Sequence, residues 1–274
     1  MTMADSARPL PDAPAGASPA PRVRTRLWRP DAAVTEGVWA LAEEIPLEVR
    51  VNGAPHAVMM VTPSDLEDFA IGFALTEAIV EDAAAIEQVS LSTETDGLVA
   101  ALAISEAALA DGIERGRGLA GRSGCGVCGV TALGDAVRAP KPVPARPPVA
   151  PEAVAAAFAQ LSRHQPLNRV THSVHAAALA APDGTIIAAR EDVGRHNALD
   201  KLIGSLARAG ALPVDGFIVL SSRASFEMVL KAAVAGAPLV ASVSSPTTLA
   251  LDCARQAGIK LAAAGPHGAV VLID

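Results

Sequence analysis

The sequence predicts an α/β protein in two parts, on three observations. From residue 151 onward, short apolar runs alternate with stretches of helical period, the pattern of buried strands and the helices that cover them. Before that, a hairpin signal, one strongly apolar helix and two weaker strands describe a smaller α+β part. Between the two lie a glycine-rich loop with a pair of cysteines and the proline-rich "APKPVPARPPVAP", an extended connector over 139–151.

Each element has its own local reason. Residues 1–30 contain Pro9, Pro11, Pro14, Pro19 and Pro21 and no apolar period, so a disordered tail is expected there. In the N-terminal part, 31–138, Leu47, Val49 and Val51 alternate, Asn52-Gly53 supplies a tight turn, and the chain returns through Val58 to Val61. Thr62 is placed to cap a helix that begins near Pro63, carries Asp65, Glu67 and Asp68 in its first turn, and buries Leu66, Phe69, Ile71, Phe73 and Leu75. Apolar runs at 89–91 and 98–104 read as strands, followed by the cysteine loop over 115–130.

The C-terminal part, 152–274, begins with a helix that opens at Pro151 and runs to Leu161. "VHAAALAAPDGTIIAAR" gives two strands joined by an Asp183-Gly184 turn, and Leu199, Leu202, Ile203 and Leu206 mark a helix closed by Gly210. "FIVLS" is a buried strand, residues 225–235 a helix ending at Gly236, "PLVAS" a strand, residues 246–256 a helix ending near Gly258, and "IKLAA" another strand. Such alternation predicts a largely parallel sheet with helices on both faces.

Composition narrows the function. A formal net charge of -7 excludes a broad nucleic-acid surface, because phosphate binding of that kind needs a basic field over a whole face, so any anion site must be local. The N-terminus lacks the run of about 7 to 15 apolar residues that a secretory signal needs, so a cytoplasmic protein is expected. The uncharged run at 232–251 is broken by Pro238 and Pro246 and by a Ser/Thr cluster, which argues against a membrane span.

Two of the three cysteines, Cys125 and Cys128, sit in "GRSGCGVCG". A partner thiol stabilises a thiolate, which makes a nucleophile and an acceptor of sulfur as a persulfide. A structural zinc site needs four ligands and finds only this one pair here, so no tightly bound structural metal is expected. A thioredoxin-like site would place CxxC at a helix N-terminus, whereas Gly121, Gly124, Gly126 and Gly129 surround it. The remaining reading is a mobile arm that carries thiols between a sulfur donor and an acceptor. Cys253, in "LALDCARQAG", reads as a small buried helix residue.

A second concentration is "REDVGRHNALDK", residues 190–201, where an apolar strand gives way to an apolar helix, the place at which ligands bind in open α/β sheets. Arg195, His196, Asn197 and Lys201 are candidates for phosphate contact, and Glu191 or Asp192 for hydrogen bonds from a base or sugar. Helix capping by Asp192 and ordinary ion pairs explain the same residues equally well. "SSRASFE", with Arg223, Ser225 and Glu227, and "SSPTT", with Ser245 and Thr247, repeat the arrangement after the next two strands. Three such turns at one end of a sheet would line a crevice suited to a large phosphorylated ligand. His172 and His175 in "THSVHAAAL" read equally as partly buried histidines, and a zinc deaminase is excluded because Ala177 stands where H-x-E requires its acid and no CxxC follows downstream.

Taken together, "IPLEVRVNG", "VTPSDLEDFAIGFALTEAIV", "SGCGVCG", "THSVHAAAL", "REDVGRHNALDKLIG", "SSRASFEMVLKAA" and "SSPTTLALDCARQAGIKL", in this order, resemble the FdhD family over about residues 43–261. The resemblance implies a C-terminal three-layer α/β/α domain similar to the cytidine deaminase fold and an accessory sulfurtransferase for formate dehydrogenase. It implies sulfur taken from a cysteine desulfurase as a persulfide on Cys125, with Cys128 as relay, and passed to a molybdenum or tungsten bis(molybdopterin guanine dinucleotide) cofactor. It also implies a homodimer and cofactor contacts by Asp192, Arg195, His196, Asn197, Lys201, Arg223, Ser225, Ser245 and Thr247. A C-terminal segment expected to contact the cofactor corresponds to Ala264, Gly265, Pro266, His267, Gly268 and Ala269, which lack the aromatic and arginine of the family's pattern. His172 and Ser173 stand where the family usually has two glycines, and Ser222 where it has one. The alternative from another class is a cofactor-binding chaperone without persulfide chemistry.

Overall fold

The computed structural model describes residues 18–109 and 138–274, so the tail before residue 18 and the loop with Cys125 and Cys128 lie outside the described residues. Part of the expected tail is ordered: β1 (Arg22–Arg29) and β2 (Ala32–Ala40) form an antiparallel two-stranded ribbon, Val23 facing Trp39 and Leu27 facing Thr35. No proline falls between Pro21 and Pro30, and there Val23, Thr25 and Leu27 supply the period-2 pattern that a strand needs.

The predicted hairpin forms as β3 (Ile45–Val51) and β4 (Ala54–Val61), turned by Asn52 and Gly53, which both hold positive φ as a tight primed turn requires. With β5 (Ile86–Glu94) and β6 (Gly97–Ile104) they make a four-stranded sheet in the order β4-β3-β6-β5. Helix α1 (Leu66–Thr76) is buried along almost its whole length. Its N-cap is Asp65, in the left-handed region without a side-chain cap bond; Thr62 is used elsewhere.

The C-terminal sheet has six strands, β7 (His175–Ala180), β8 (Ile186–Asp192), β9 (Phe217–Arg223), β10 (Leu239–Ser244), β11 (Lys260–Ala264) and β12 (Val270–Ile273), in the order β12-β11-β10-β9-β7-β8. The expected largely parallel sheet is mixed: only β9-β10 and β10-β11 pair in parallel, while β7 is antiparallel to both β8 and β9, and β12 to β11. The Asp183-Gly184 turn folds β7 against β8 as a hairpin, and β7 then takes the place beside β9. Strands β8 to β11 nonetheless all point the same way.

One sheet face is covered by α2 (Pro151–Leu161), whose Val154, Ala157 and Leu161 pack on Ala178, Phe217 and Val219. After the short α3 (Pro166–Thr171), helices α4 (Arg195–Arg208), α5 (Phe226–Val234) and α6 (Thr248–Ala257) cover the other face. Their hydrophobic core runs on without a break through α1 into Leu47, Val49 and Leu102 of the four-stranded sheet. The two parts divided by the proline connector therefore share one core. The connector itself is tied down, Val143 N–H donating to Ala257 O at 2.8 Å.

The join between the parts is the crossing of α1 and α4 at Gly72 and Gly204, where a Cβ on either would come within 1.8 Å of a backbone oxygen of the other helix. Beside it lies a cluster of buried ions. Lys231 Nζ of α5 reaches both oxygens of Asp200 at 2.9 Å, Thr76 Oγ1 at 2.8 Å and Glu77 Oε1 at 3.2 Å, and Arg138 pairs with the other Glu77 oxygen at 3.2 Å. Burial by itself pushes the Glu77 carboxyl up, but Lys231 and Arg138 outweigh it and bring it down to about 2. A carboxyl depressed by folding stabilises the fold above its unfolded pKa, and that contribution is lost as pH falls from about 4.5 to about 2. Glu77→Gln is therefore expected to lower stability at neutral pH and to flatten the pH dependence across that window, read from urea midpoints of variant and parent at each pH. Equal pH slopes in the two proteins would refute the assignment.

Candidate functional site

Because β8, β9, β10 and β11 are co-directional, the turns that follow them all open on one edge of the sheet. Three of these turns lead into helices, so the N-termini of α4, α5 and α6 bring unsatisfied backbone N–H groups and positive dipole ends to that edge. The fourth is the β11-β12 hairpin, closed by Gly265 N–H to Ala269 O at 2.7 Å. Residues 264–269 thus reach the edge, with Pro266, His267, Gly268 and Ala269 exposed and His267 itself left-handed at φ 55°.

The polar residues of "REDVGRHNALDK" divide sharply between interior and edge. Asp192 is fully buried; Oδ2 accepts from Thr62 N–H at 2.9 Å and lies 2.7 Å from Lys201 Nζ, while Oδ1 accepts from Gly194 N–H and from Asn197 Nδ2. Lys201 is 0% exposed and also donates to Thr62 O at 2.9 Å. Asn197 is buried and donates to Met60 O at 2.8 Å. These three residues, expected at a ligand, instead clamp the end of β4 to the start of α4. Asn197 and Lys201, four residues apart, lie on one inward face of the helix.

Their neighbours are also inward. Glu191 is buried and accepts from Leu167 N–H and Asn168 N–H, both at 2.8 Å, supplying the first turn of α3 with acceptors. Arg190 Nε donates to Asp68 Oδ2 at 2.9 Å, and the other Asp68 oxygen is held by Arg208 at 2.8 Å.

Arg195 and His196, on the first turn of α4, are half-buried at the edge. His196 Nε2 lies 2.9 Å from Glu227 Oε2, which joins the first turns of α4 and α5. His175, opposite Asp192 at the start of β7, completes the group. Burial lowers the His175 pKa, and the neighbouring Arg195 and His196 lower it further. Arg223 is exposed at the end of β9. Ser225 stands at the N-cap of α5 without making the cap bond, and its buried Oγ has no hydrogen-bond partner among the described residues. Ser245 is exposed, and Thr247 caps α6 by accepting from Ala250 N–H at 3.2 Å.

The edge therefore carries cations, open helix N-termini and hydroxyls, a donor set for phosphate and other anionic oxygens. An open groove elsewhere, lined by Pro46, Glu48, Glu94, Asp96 and Leu98, has acids where an anion site needs donors. Sequence reasoning put Glu227 in one of the crevice turns but named His175 without placing it at the site. Counting outward from the Asp183-Gly184 turn would have set His175 across from Asp192.

A family model described as the FdhD/NarQ family matches residues 42–270, which contain both cysteines and every strand of the edge. The chain belongs to the FdhD/NarQ family. Among curated proteins, it is 49% identical over 221 residues to the sulfur carrier protein FdhD of Bordetella bronchiseptica, covering 81% of this chain and 80% of that one. It is also 49% identical over 225 residues to the sulfur carrier protein FdhD of Chromobacterium violaceum, covering 81% and 83%. A solved chain described as a formate dehydrogenase accessory protein from Desulfotalea psychrophila superposes with a TM-score of 0.69 at 24% identity over 94% of this chain, a likeness of fold. In this FdhD/NarQ chain, no helix among the described residues is long and apolar enough to cross a membrane.

Proposed function

We propose that this chain is a cytoplasmic sulfur carrier that serves formate dehydrogenase. Cys125 takes sulfur from a cysteine desulfurase as a persulfide, and the acceptor is a molybdenum or tungsten bis(molybdopterin guanine dinucleotide) bound at the sheet edge. The observation that carries the reading is the co-directional edge itself, along which lie Arg195, His196, Arg223 and three helix N-termini. Phosphates of such a ligand suit the helix ends and arginines, and Ser225 Oγ, Ser245 and Thr247 add hydroxyls. Asp192, Asn197 and Lys201 hold the crevice in shape and do not touch the ligand. The six-stranded sheet is, on this reading, a relative of the cytidine deaminase sheet without its zinc chemistry.

The sulfur chemistry needs two steps. The Cys125 thiolate attacks the terminal sulfur of the donor persulfide, the donor cysteine leaves as a thiolate, and Cys125 holds the sulfane sulfur. Attack by the Cys128 thiolate on the Cys125 sulfur then expels the terminal sulfur, with a proton, as hydrosulfide and leaves a Cys125-Cys128 disulfide. A cellular dithiol restores the pair.

The test is intact mass after incubation with an active cysteine desulfurase and cysteine. Wild type is expected to gain sulfur that a reductant removes, Cys125→Ala to gain none, and Cys128→Ala to gain it and hold it. No gain in wild type would leave the chaperone reading, in which the edge carries the cofactor and the thiols are idle.

A further inference from the structure

Trp28 and Trp39 are the only indole or phenyl rings open to solvent among the described residues, since all five phenylalanines are buried or half-buried. Both tryptophans lie on the ribbon. Trp28, beside its turn, is 67% exposed. Trp39, at the far end of β2, is 45% exposed and meets the His172 ring with centroids 5.7 Å apart and planes tilted by 35°. His172 is also exposed, so the contact leaves aromatic surface free for a further ring. It is held at φ 55°, the left-handed region in which glycine is at ease and a side chain is strained.

This pair of rings stands at the sheet edge. His172 precedes His175, the first residue of β7, by three residues, at most about 11 Å of chain. His175 faces Asp192 at the end of β8, and the next residue, Ala176, donates its N–H to Ser221 Oγ of β9 at 2.8 Å. Strand β7 lies between β8 and β9 in the sheet. The turn that carries His172 therefore enters the edge between the turn that leads to Arg195 and the one that follows Arg223. The opposite end of the edge, residues 264–269, has no indole or phenyl ring. Open aromatic surface is thus confined to the β7 side, next to two cations.

We propose that Trp39 and His172 form a base-stacking subsite of the crevice, taking a purine base such as guanine on their open ring surface while the phosphates of the same ligand lie on the helix N-termini. A purine has a broad π-face that an indole or imidazole covers whichever edge the base presents. The inference rests on the anion crevice of the reading above. It adds recognition of a group that arginines and helix ends do not select, and it gives the ribbon a task, since β2 carries Trp39 to the edge.

Two probes separate base from phosphate: GDP and inorganic pyrophosphate, each titrated by calorimetry into the full chain. Trp39→Leu is expected to weaken GDP at least about 10-fold while pyrophosphate, which has no base, stays within about 2-fold of the parent. His172→Gly, a residue at ease at φ 55°, keeps the turn and is expected to weaken GDP in the same selective way. Tryptophan emission supplies a second readout. GDP is expected to quench it in the parent and in Trp28→Phe, and to leave it unchanged in Trp39→Leu. A Trp39→Leu protein that binds GDP as the parent does would overturn the subsite, with the anion crevice intact. GDP and pyrophosphate falling together would also overturn it, because the rings would then only hold the edge in shape. A parent that binds neither probe would remove the crevice, and the subsite with it.

Discussion

Lys201→Met is expected to cost about 3 to 5 kcal/mol, enough to unfold much of a protein whose total stability is of the order of 5 to 15 kcal/mol. The ammonium is 0% exposed and holds Asp192 at 2.7 Å and Thr62 O at 2.9 Å. Its removal leaves the Asp192 carboxylate buried without its cation and Thr62 O short of a donor, and a methionine can replace only the volume. The loss falls where β4 is fastened to α4, so both halves of the shared core feel it. Arg195→Gln, six residues earlier and half-buried at the sheet edge, is expected to leave the fold within about 0.5 kcal/mol of the parent. Urea midpoints for the two variants make the comparison. If Lys201→Met unfolds with the parent, residue 201 is not the clamp described here.

Gly204→Ala is the second large effect, and its sign is the opposite of the ordinary one. Within a helix, alanine normally gains about 0.5 to 1 kcal/mol over glycine. Here the added Cβ would stand 1.8 Å from Asp68 O and 2.8 Å from Gly72 N, in backbone that cannot rotate aside. The two helices must separate, opening contacts along α1 and α4, and a loss of about 3 kcal/mol or more is expected, at the upper end of overpacking. Gly210→Ala separates this clash from backbone strain, because at φ 64° it is strained yet has nothing within 4 Å, and it should cost about 1 kcal/mol. A Gly204→Ala protein with an unchanged thermal midpoint would mean that the helices cross with more room than the structure gives them.

Local pattern carried most of the elements. The Asn52-Gly53 hairpin, the α1 stripe, the Asp183-Gly184 turn and the helix ends at Gly210, Gly236 and Gly258 all depend on neighbours a few residues apart, and all are present. The polar turns after β8, β9 and β10 were likewise legible, because each follows an apolar run and precedes a helix. What misled was distance. β7 was assigned to a largely parallel sheet, but its partner β9 lies beyond a hairpin and α4, and nothing in either strand states the direction of pairing. The proline connector suggested two domains, whereas α1 supplies the missing layer for α4 and merges the cores.

By itself the sequence determined where strands, turns and helices begin, that two thiols share one glycine-rich loop, and that one end of a sheet would be polar, since each follows from residues adjacent in the chain. Only the tertiary structure decided which polar residues look outward. Asp192, Asn197 and Lys201 share one short segment with Arg195 and His196, yet Met60 and Thr62, more than a hundred residues earlier, close over the first three and leave the other two at the edge. Burial is set by what packs against a residue, and the element that packs against this one is remote from it in the chain.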